Sequence, residues 1–422
     1  MRITRIDTFI LKVPLDGGLV FWSSQCRFSH RKSLLIRVET SDGTVGWGEG
    51  GQYGPAEPVA SVVHSVFAPL LLGQDPRQPE VLWEVMYSHS RDFGRKGAAM
   101  EAISALDIAL WDILGKVQNA PVHALMGGAF RRAVKTYATG LYYRDCDGRP
   151  PRLDEDLPLL RQEAAGYRDA ALPAVKMKVG LLSPAEDLQR VASARETLGA
   201  GVLLMVDANH AYQAHVAARM AKAMERHDVY WFEEPVVPED IEGYRQVKAA
   251  TRIAIAGGEC EYTRYGFAKW IASRVLDIVQ PDPCCAGGLS ELRRIAALAS
   301  AFHVQCIPHV WGSAVALAAG LQLLATLPPV PPTANPLAPY NEPMLEWDAN
   351  HNPLRTELLR TPIRPVNGEV AVPSGPGLGI EVDDHVLGNY LAAHASSELG
   401  EGKIHHRDRL EAERNVAAVG TT

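Results

Sequence analysis

A chain of 422 residues is long enough for two or three domains, and with 47% hydrophobic and 22% charged residues it has the composition of a globular protein with a large core. Its 42 Lys+Arg and 49 Asp+Glu leave a net charge of −7, spread without basic runs. That excludes a surface built for nucleic-acid phosphates or anionic lipid, so neither nucleic acid nor a membrane is an expected partner.

The N-terminus, MRITRIDTFILKV, has Asp7 in its middle and alternates like a strand, unlike a signal peptide. Residues 33–50, SLLIRVETSDGTVGWGEG, read as two strands joined by an SDGT hairpin turn. Helical periodicity follows over 58–73 and 98–117, so residues 1–134 form an α+β unit. From residue 135 the texture changes to short apolar strands alternating with amphipathic helices. The strand candidates are 135–139, 175–180, 203–209, 230–235, 253–258, 277–282, 305–310 and 344–347. Eight parallel strands with crossover helices specify an α/β fold, a (β/α)₈ TIM-type barrel over 135–350. A doubly wound sheet would need a glycine-rich phosphate loop after an early strand, and GPGLGI (375–380) is too late in the chain and reads as a turn. Residues 351–390 are strand and turn material again, and 391–422 read as a polar tail in which IHHRDRLEAERN is a solvated helix or a disordered end.

Between Ile295 and Asn341 there are 47 residues without Asp, Glu, Lys or Arg. Its apolar runs are short and interrupted by His303, Gln305, His309 and prolines, so it reads as barrel wall and not as a membrane span. Cys26, Cys146, Cys260, Cys284, Cys285 and Cys306 show no CxxC spacing and read as reduced thiols of a cytoplasmic protein.

Barrel active sites lie at the C-terminal strand ends. Those ends carry Lys176 and Lys178, Asp207, Glu233, Glu259, Asp282, His309 and Glu346. Asp207, Glu233 and Glu259 recur every 26 residues, one per βα unit, which converges three carboxylates on one point. Such a group repels itself unless a cation neutralises it, and an all-oxygen set favours Mg²⁺, with Mn²⁺ as a substitute. A zinc hydrolase barrel would be expected to carry a His-x-His on an early strand, which this chain lacks. Lys176 and Lys178, two apart on a strand, point to the same side, where mutual repulsion is expected to depress their pKa values and leave a free-base lysine. Asp282 is placed to orient His309, a second acid/base, and Glu346 to hydrogen-bond a substrate carboxylate. Asn209 and His210 follow Asp207 closely enough to reach the same cavity. A lysine base and a divalent ion together address removal of a proton next to a carboxylate, the arrangement described for enolase-superfamily enzymes.

The ordered series Lys176-Met177-Lys178, Asp207, Glu233-Glu234-Pro235, Gly258-Glu259, Asp282, His309 and Glu346 resembles the mandelate racemase / muconate lactonizing enzyme family of the enolase superfamily. The resemblance implies an α+β cap over the barrel mouth, with 351–390 returning to it, a homo-oligomer (dimer or octamer), and one Mg²⁺ held by Asp207, Glu233 and Glu259. It implies Lys178 and His309 as acid/base catalysts, Lys176 as modifier, Asp282 as orienting group and Glu346 as electrophile. GECEYTRYGF (258–267) is similar to sugar-acid dehydratases, whereas WFEEPVVPED, PHVWG and the NPLR segment are similar to galactarolactone cycloisomerase. A dehydratase or cycloisomerase acting on a sugar acid or its lactone is therefore expected before a racemase or epimerase, and a non-catalytic binding barrel would be expected to have lost part of this set. Substrate specificity is expected in the cap, around residues 16–30 and 50–58, with Trp22, Arg27, His30 and Tyr53 as candidates.

Overall fold

The computed structural model describes residues 1–51 and 54–400. Five strands open the chain: β1 (Ile3–Pro14), β2 (Phe21–Trp22), β3 (Arg27–Phe28), β4 (His30–Thr40) and β5 (Val45–Gly50). The SDGT turn joins β4 to β5, with Gly43 at φ +81°, a conformation that L side chains resist. Period two sends Leu34, Ile36 and Val38 of β4 to one face, against Ile103, Leu106 and Leu110 of helix Ala98–Val117, while Leu35 faces the main core on the other.

That helix lies on β5 because Gly46, Gly48 and Gly50 have no side chains: a Cβ at Gly48 would come to 1.8 Å from the Ala105 carbonyl oxygen. Backbone on both sides prevents relief, so Gly48→Ala is expected to destabilise the fold by about 3 kcal/mol, read by urea denaturation. Gly18→Ala, which meets nothing within 4 Å, is the control expected within about 0.5 kcal/mol of the parent.

The barrel strands are β6 (Ala133–Thr139), then β8 (Ala174–Lys178), β9 (Leu203–Asp207), β10 (Val229–Glu233), β11 (Ala254–Gly257), β12 (Ile278–Val279), β13 (Gln305–Cys306) and β14 (Leu345–Asp348), with the short β7 (Tyr143–Arg144) after β6. The parallel ladder runs β14-β6-β8-β9-β10-β11-β12-β13. Its two ends are bridged where Val310 N donates to Glu346 Oε2 at 3.0 Å and Gln305 Nε2 donates to the Pro339 carbonyl at 2.6 Å. All eight expected strands are present. After β14 there is one turn, Pro353–Thr356, in place of a full helix, in a segment punctuated by Pro353, Pro362 and Pro365. Inside the barrel, one side chain per strand builds a buried floor: Tyr137, Ala174, Met205, Trp231, Ala256, Ile278, Ile307 and Met344. Two residues beyond these floor positions stand Lys176, Asp207, Glu233 and Glu346, which strand periodicity aims into the mouth, and Gln280 and His309, just past the ends of β12 and β13, where bonds to Glu233 and Asp282 hold them.

One expectation about the chain's second half changes. The segment expected to be a polar tail begins as β16 (Leu391–Glu398), which adds to the cap sheet in the order β16-β1-β4-β5; β15 (Glu369–Ala371) pairs β6 before it. The polar look of β16 comes from its edge position, where nearly every side chain is exposed and only β1 supplies ladder bonds. The IHHRDRLEAERN stretch lies outside the described residues. The charge-free stretch resolves into the end of helix Gly288–Ala301, β13 and helix Ala314–Thr326, the last buried through Ala325. Among the described residues no helix is long and apolar enough to cross a membrane.

Cap and barrel are joined by buried polar contacts. Glu49 of β5 accepts hydrogen bonds from Ser33 Oγ (2.8 Å), Ser313 N (2.8 Å), Ser313 Oγ (2.5 Å) and Ala316 N (2.8 Å), and so caps the helix that follows His309. The lid-like β2 pairs with both β3 and β7, tying the cap loop to the loop after the first barrel strand.

Candidate active site

The register sets Lys178 and Glu233 both opposite Asp207. Lys178 Nζ donates to Asp207 Oδ2. Lys176 Nζ lies 2.6 Å from Glu233 Oε1, 2.9 Å from Glu346 Oε1 and 3.7 Å from Asp207 Oδ2. Glu346 also accepts from Thr139 Oγ1 at 2.6 Å, and its Oε2 is 3.5 Å from His309 Nε2. His309 Nδ1 meets Asp282 Oδ2 at 2.6 Å, and Asp282 Oδ1 accepts from Cys284 N at 2.6 Å. Lys176, Lys178, Asp207, Glu233, Asp282, His309 and Glu346 thus form one connected, buried constellation, with Glu259 reaching it at 3.6 Å from His309 Nε2.

Ligand oxygens of Asp207, Glu233 and Glu259 lie within 4.8 Å of one another. Glu259 Oε2 is buried, with no hydrogen-bond donor among the described residues. Burial, with the neighbouring carboxylates, pushes Glu233 and Glu259 up to about 7 despite Lys176 beside one and His309 beside the other. With all five carboxylates ionised, Asp207, Glu233, Glu259, Asp282 and Glu346 would face three cations, Lys176, Lys178 and protonated His309, a surplus of 5 − 3 = 2 negative charges that a bound cation would have to offset. The donor set and the surplus both fit one hard divalent ion.

The lysines depart from expectation. Burial presses both ammonium groups toward neutrality, but Glu233 and Glu346 at Lys176, and Asp207 at Lys178, outweigh burial and raise both above the ordinary lysine value. The expected depression considered each lysine against the other and overlooked carboxylates in direct contact. Burial likewise lowers His309, while Glu259, Glu346 and Asp282 overcome it and raise the imidazole to about 10.

Other candidates separate. Asn209 N donates to Asp207 Oδ1 at 2.9 Å, and Asn209 Nδ2 is 3.5 Å from Glu234 Oε2. His210 pairs with Glu234 at the mouth. Trp22 Nε1 and Arg27 Nε both donate to Asp145 Oδ1 at 2.7 Å, fastening the cap loop to the loop after β7, and Arg27 also lines the cavity beside His30. His30 Nδ1 contacts Ser29 Oγ, and with Cys26, Arg31 and Trp311 it lines a cavity of about 280 Å³. Tyr53 lies outside the described residues. Sequence reading missed Trp231 and Gln280, which both donate to Glu233 Oε2 at 2.9 Å, although each sits two residues before a named strand-end residue, on the same face.

Residues 159–386 match the enolase C-terminal domain-like family, and residues 10–127 match the mandelate racemase / muconate lactonizing enzyme N-terminal domain. The chain belongs to the enolase superfamily. It is 42% identical over 387 residues to D-galactarolactone cycloisomerase of Agrobacterium fabrum, covering 92% of this chain and 98% of that one. Arabinonate dehydratase of Saccharolobus solfataricus is 35% identical over 357 residues, covering 85% and 90%. Among solved structures, 3,6-anhydro-D-galactonate cycloisomerase of Zobellia galactanivorans aligns with a TM-score of 0.81 at 39% identity, covering 93% and 100%. A racemase of Streptomyces coelicolor with bound magnesium aligns with a TM-score of 0.80 at 30% identity, covering 92% and 100%. This enolase-superfamily chain is accordingly an enzyme whose relatives are sugar-acid dehydratases and cycloisomerases.

Proposed function

We propose that this enzyme removes the α-proton of a sugar-acid carboxylate and then eliminates the oxygen on the β-carbon. In a dehydratase that oxygen leaves as water; in a lactone cycloisomerase it is the ring oxygen, and the ring opens. The observation that carries the reading is the joining of two acid/base groups, Lys178 and the Asp282-oriented His309, to one buried trio of carboxylates.

Mg²⁺ held by Asp207, Glu233 and Glu259 would supply neutralisation of the charge that gathers on the substrate carboxylate. Lys178 must first release the proton that its contact with Asp207 holds on it; as the free amine it then takes the α-proton on Nζ, and the C–H electron pair moves toward the carboxylate. Return of that pair forms the Cα=Cβ bond and expels the β C–O pair, to which protonated His309 gives its Nε2 proton. Asp282 holds His309 by Nδ1 and stabilises the imidazolium beforehand. Lys176, clasped between Glu233 and Glu346, keeps a fixed positive charge beside the developing anion. The enol so formed tautomerises to a 2-keto-3-deoxy acid.

The test is turnover of stereoisomeric aldonates, aldarates and their lactones with Mg²⁺ in D₂O, followed by proton NMR. Loss of substrate to a 2-keto-3-deoxy acid is expected for at least one compound. Deuterium at the α-carbon of otherwise unchanged substrate or its epimer would replace this reading with a racemase, and no exchange with any compound would replace it with a binding role.

A further inference from the structure

Beyond Asp207, Glu233 and Glu259, the same three strand ends carry a second convergent set. His210, Glu234 and Cys260 each offer a donor atom within 4.8 Å of the other two. His210 Nε2 is 2.7 Å from Glu234 Oε1. Glu234 is buried, while His210 and Cys260 are partly buried. The backbone is preset: His210 N donates to the Glu234 carbonyl at 2.9 Å, and Asn209, His210 and Glu234 are held at φ +41°, +66° and +44°. Three non-glycine residues in left-handed conformation beside one site are strain that the surrounding structure maintains.

We propose that His210, Glu234 and Cys260 form a second cation site, selective for a borderline-soft ion such as Zn²⁺. An imidazole nitrogen, a carboxylate oxygen and a thiolate are a poor set for Mg²⁺ and a good one for Zn²⁺, and three protein ligands leave the fourth tetrahedral position to water. A His–Glu ion pair alone would not account for a thiol converging on the same point.

The site also reaches the cap. Gln25 Nε2 lies 2.9 Å from His210 Nδ1 and 3.2 Å from the Asn209 carbonyl, and Ser24 Oγ donates to the Ala208 carbonyl at 2.7 Å. With Nδ1 accepting from Gln25, the imidazole proton sits on Nε2, facing Glu234. Cation binding at Nε2 moves that proton to Nδ1 and releases the Cys260 thiol proton to solvent. The Gln25 amide must then turn its oxygen to Nδ1 and give up the Asn209 bond, so occupancy of this site loosens the docking of the cap loop.

The test uses the full chain in excess Mg²⁺, titrated with Cd²⁺ as a thiolate-reporting probe. The expected result is an ultraviolet sulfur-to-Cd²⁺ charge-transfer band that saturates at one equivalent and is displaced by Zn²⁺. The oxygen-only inner trio gives no such band. Cys260→Ser should abolish it, Cys260→Ala should do the same if the serine variant melts early, and Cys26→Ser should retain it. His210→Ala should weaken Cd²⁺ binding at least about tenfold. Absence of the band in the parent protein, or its survival in a folded Cys260 variant, overturns the proposal.

Discussion

Lys178→Ala and His309→Asn are each expected to lower kcat by about 10³-fold, with circular dichroism unchanged. Positioned acid/base groups contribute about 10² to 10⁴-fold, and the proposed elimination uses both, one to take a proton and one to give it. The two losses should be distinguishable in D₂O. If Lys178 takes the α-proton, His309→Asn still exchanges that proton for deuterium while failing to expel the β-oxygen, whereas Lys178→Ala shows neither exchange nor product. The reverse pattern would exchange the two roles, and full turnover in either variant would remove that residue from the mechanism. Neither change should unfold the barrel. Asp207 retains Lys176 at 3.7 Å when Lys178 is gone, and asparagine at position 309 can still donate toward Asp282.

The site was legible in the sequence because a barrel strand converts chain position into direction. Lys176 follows Ala174, Asp207 follows Met205 and Glu233 follows Trp231 by two residues, so any polar group above a floor residue has to face the mouth. What the sequence did not reveal depends on contacts between distant segments. That Trp22 and Arg27 share Asp145, more than a hundred residues later, as a hydrogen-bond partner could not be read from the sequence. The strand Leu391–Glu398 was concealed because an exposed edge lacks the hydrophobic alternation by which strands are recognised. The lysine charge states were misjudged for a related reason. Repulsion within Lys176-Met177-Lys178 is visible locally, but the carboxylates that outweigh it come from positions 207, 233 and 346.

Glu259→Gln is expected to abolish turnover at Mg²⁺ concentrations that saturate the parent, and to remove the stabilisation that Mg²⁺ confers on the fold. Asp207 and Glu233 have lysine partners at hydrogen-bond distance, whereas among the described residues Glu259 has His309 at 3.6 Å as its cationic neighbour and one oxygen with no donor. It is therefore the member of the trio whose charge most lacks a partner within the protein. An ion binding the folded state alone stabilises it by about 2.7 kcal/mol at one hundred times its dissociation constant, so the parent's melting temperature should rise with Mg²⁺ and fall back on chelation. In Glu259→Gln one negative charge of the surplus of two is gone, and with it a ligand, so the Mg²⁺-dependent rise should vanish. The variant without Mg²⁺ should melt no lower than the parent without Mg²⁺, because a neutral amide removes a buried charge and its repulsion by neighbouring carboxylates, the two effects that raise Glu259 to about 7. A melting curve in which Mg²⁺ stabilises Glu259→Gln as strongly as the parent would show that the ion is held elsewhere.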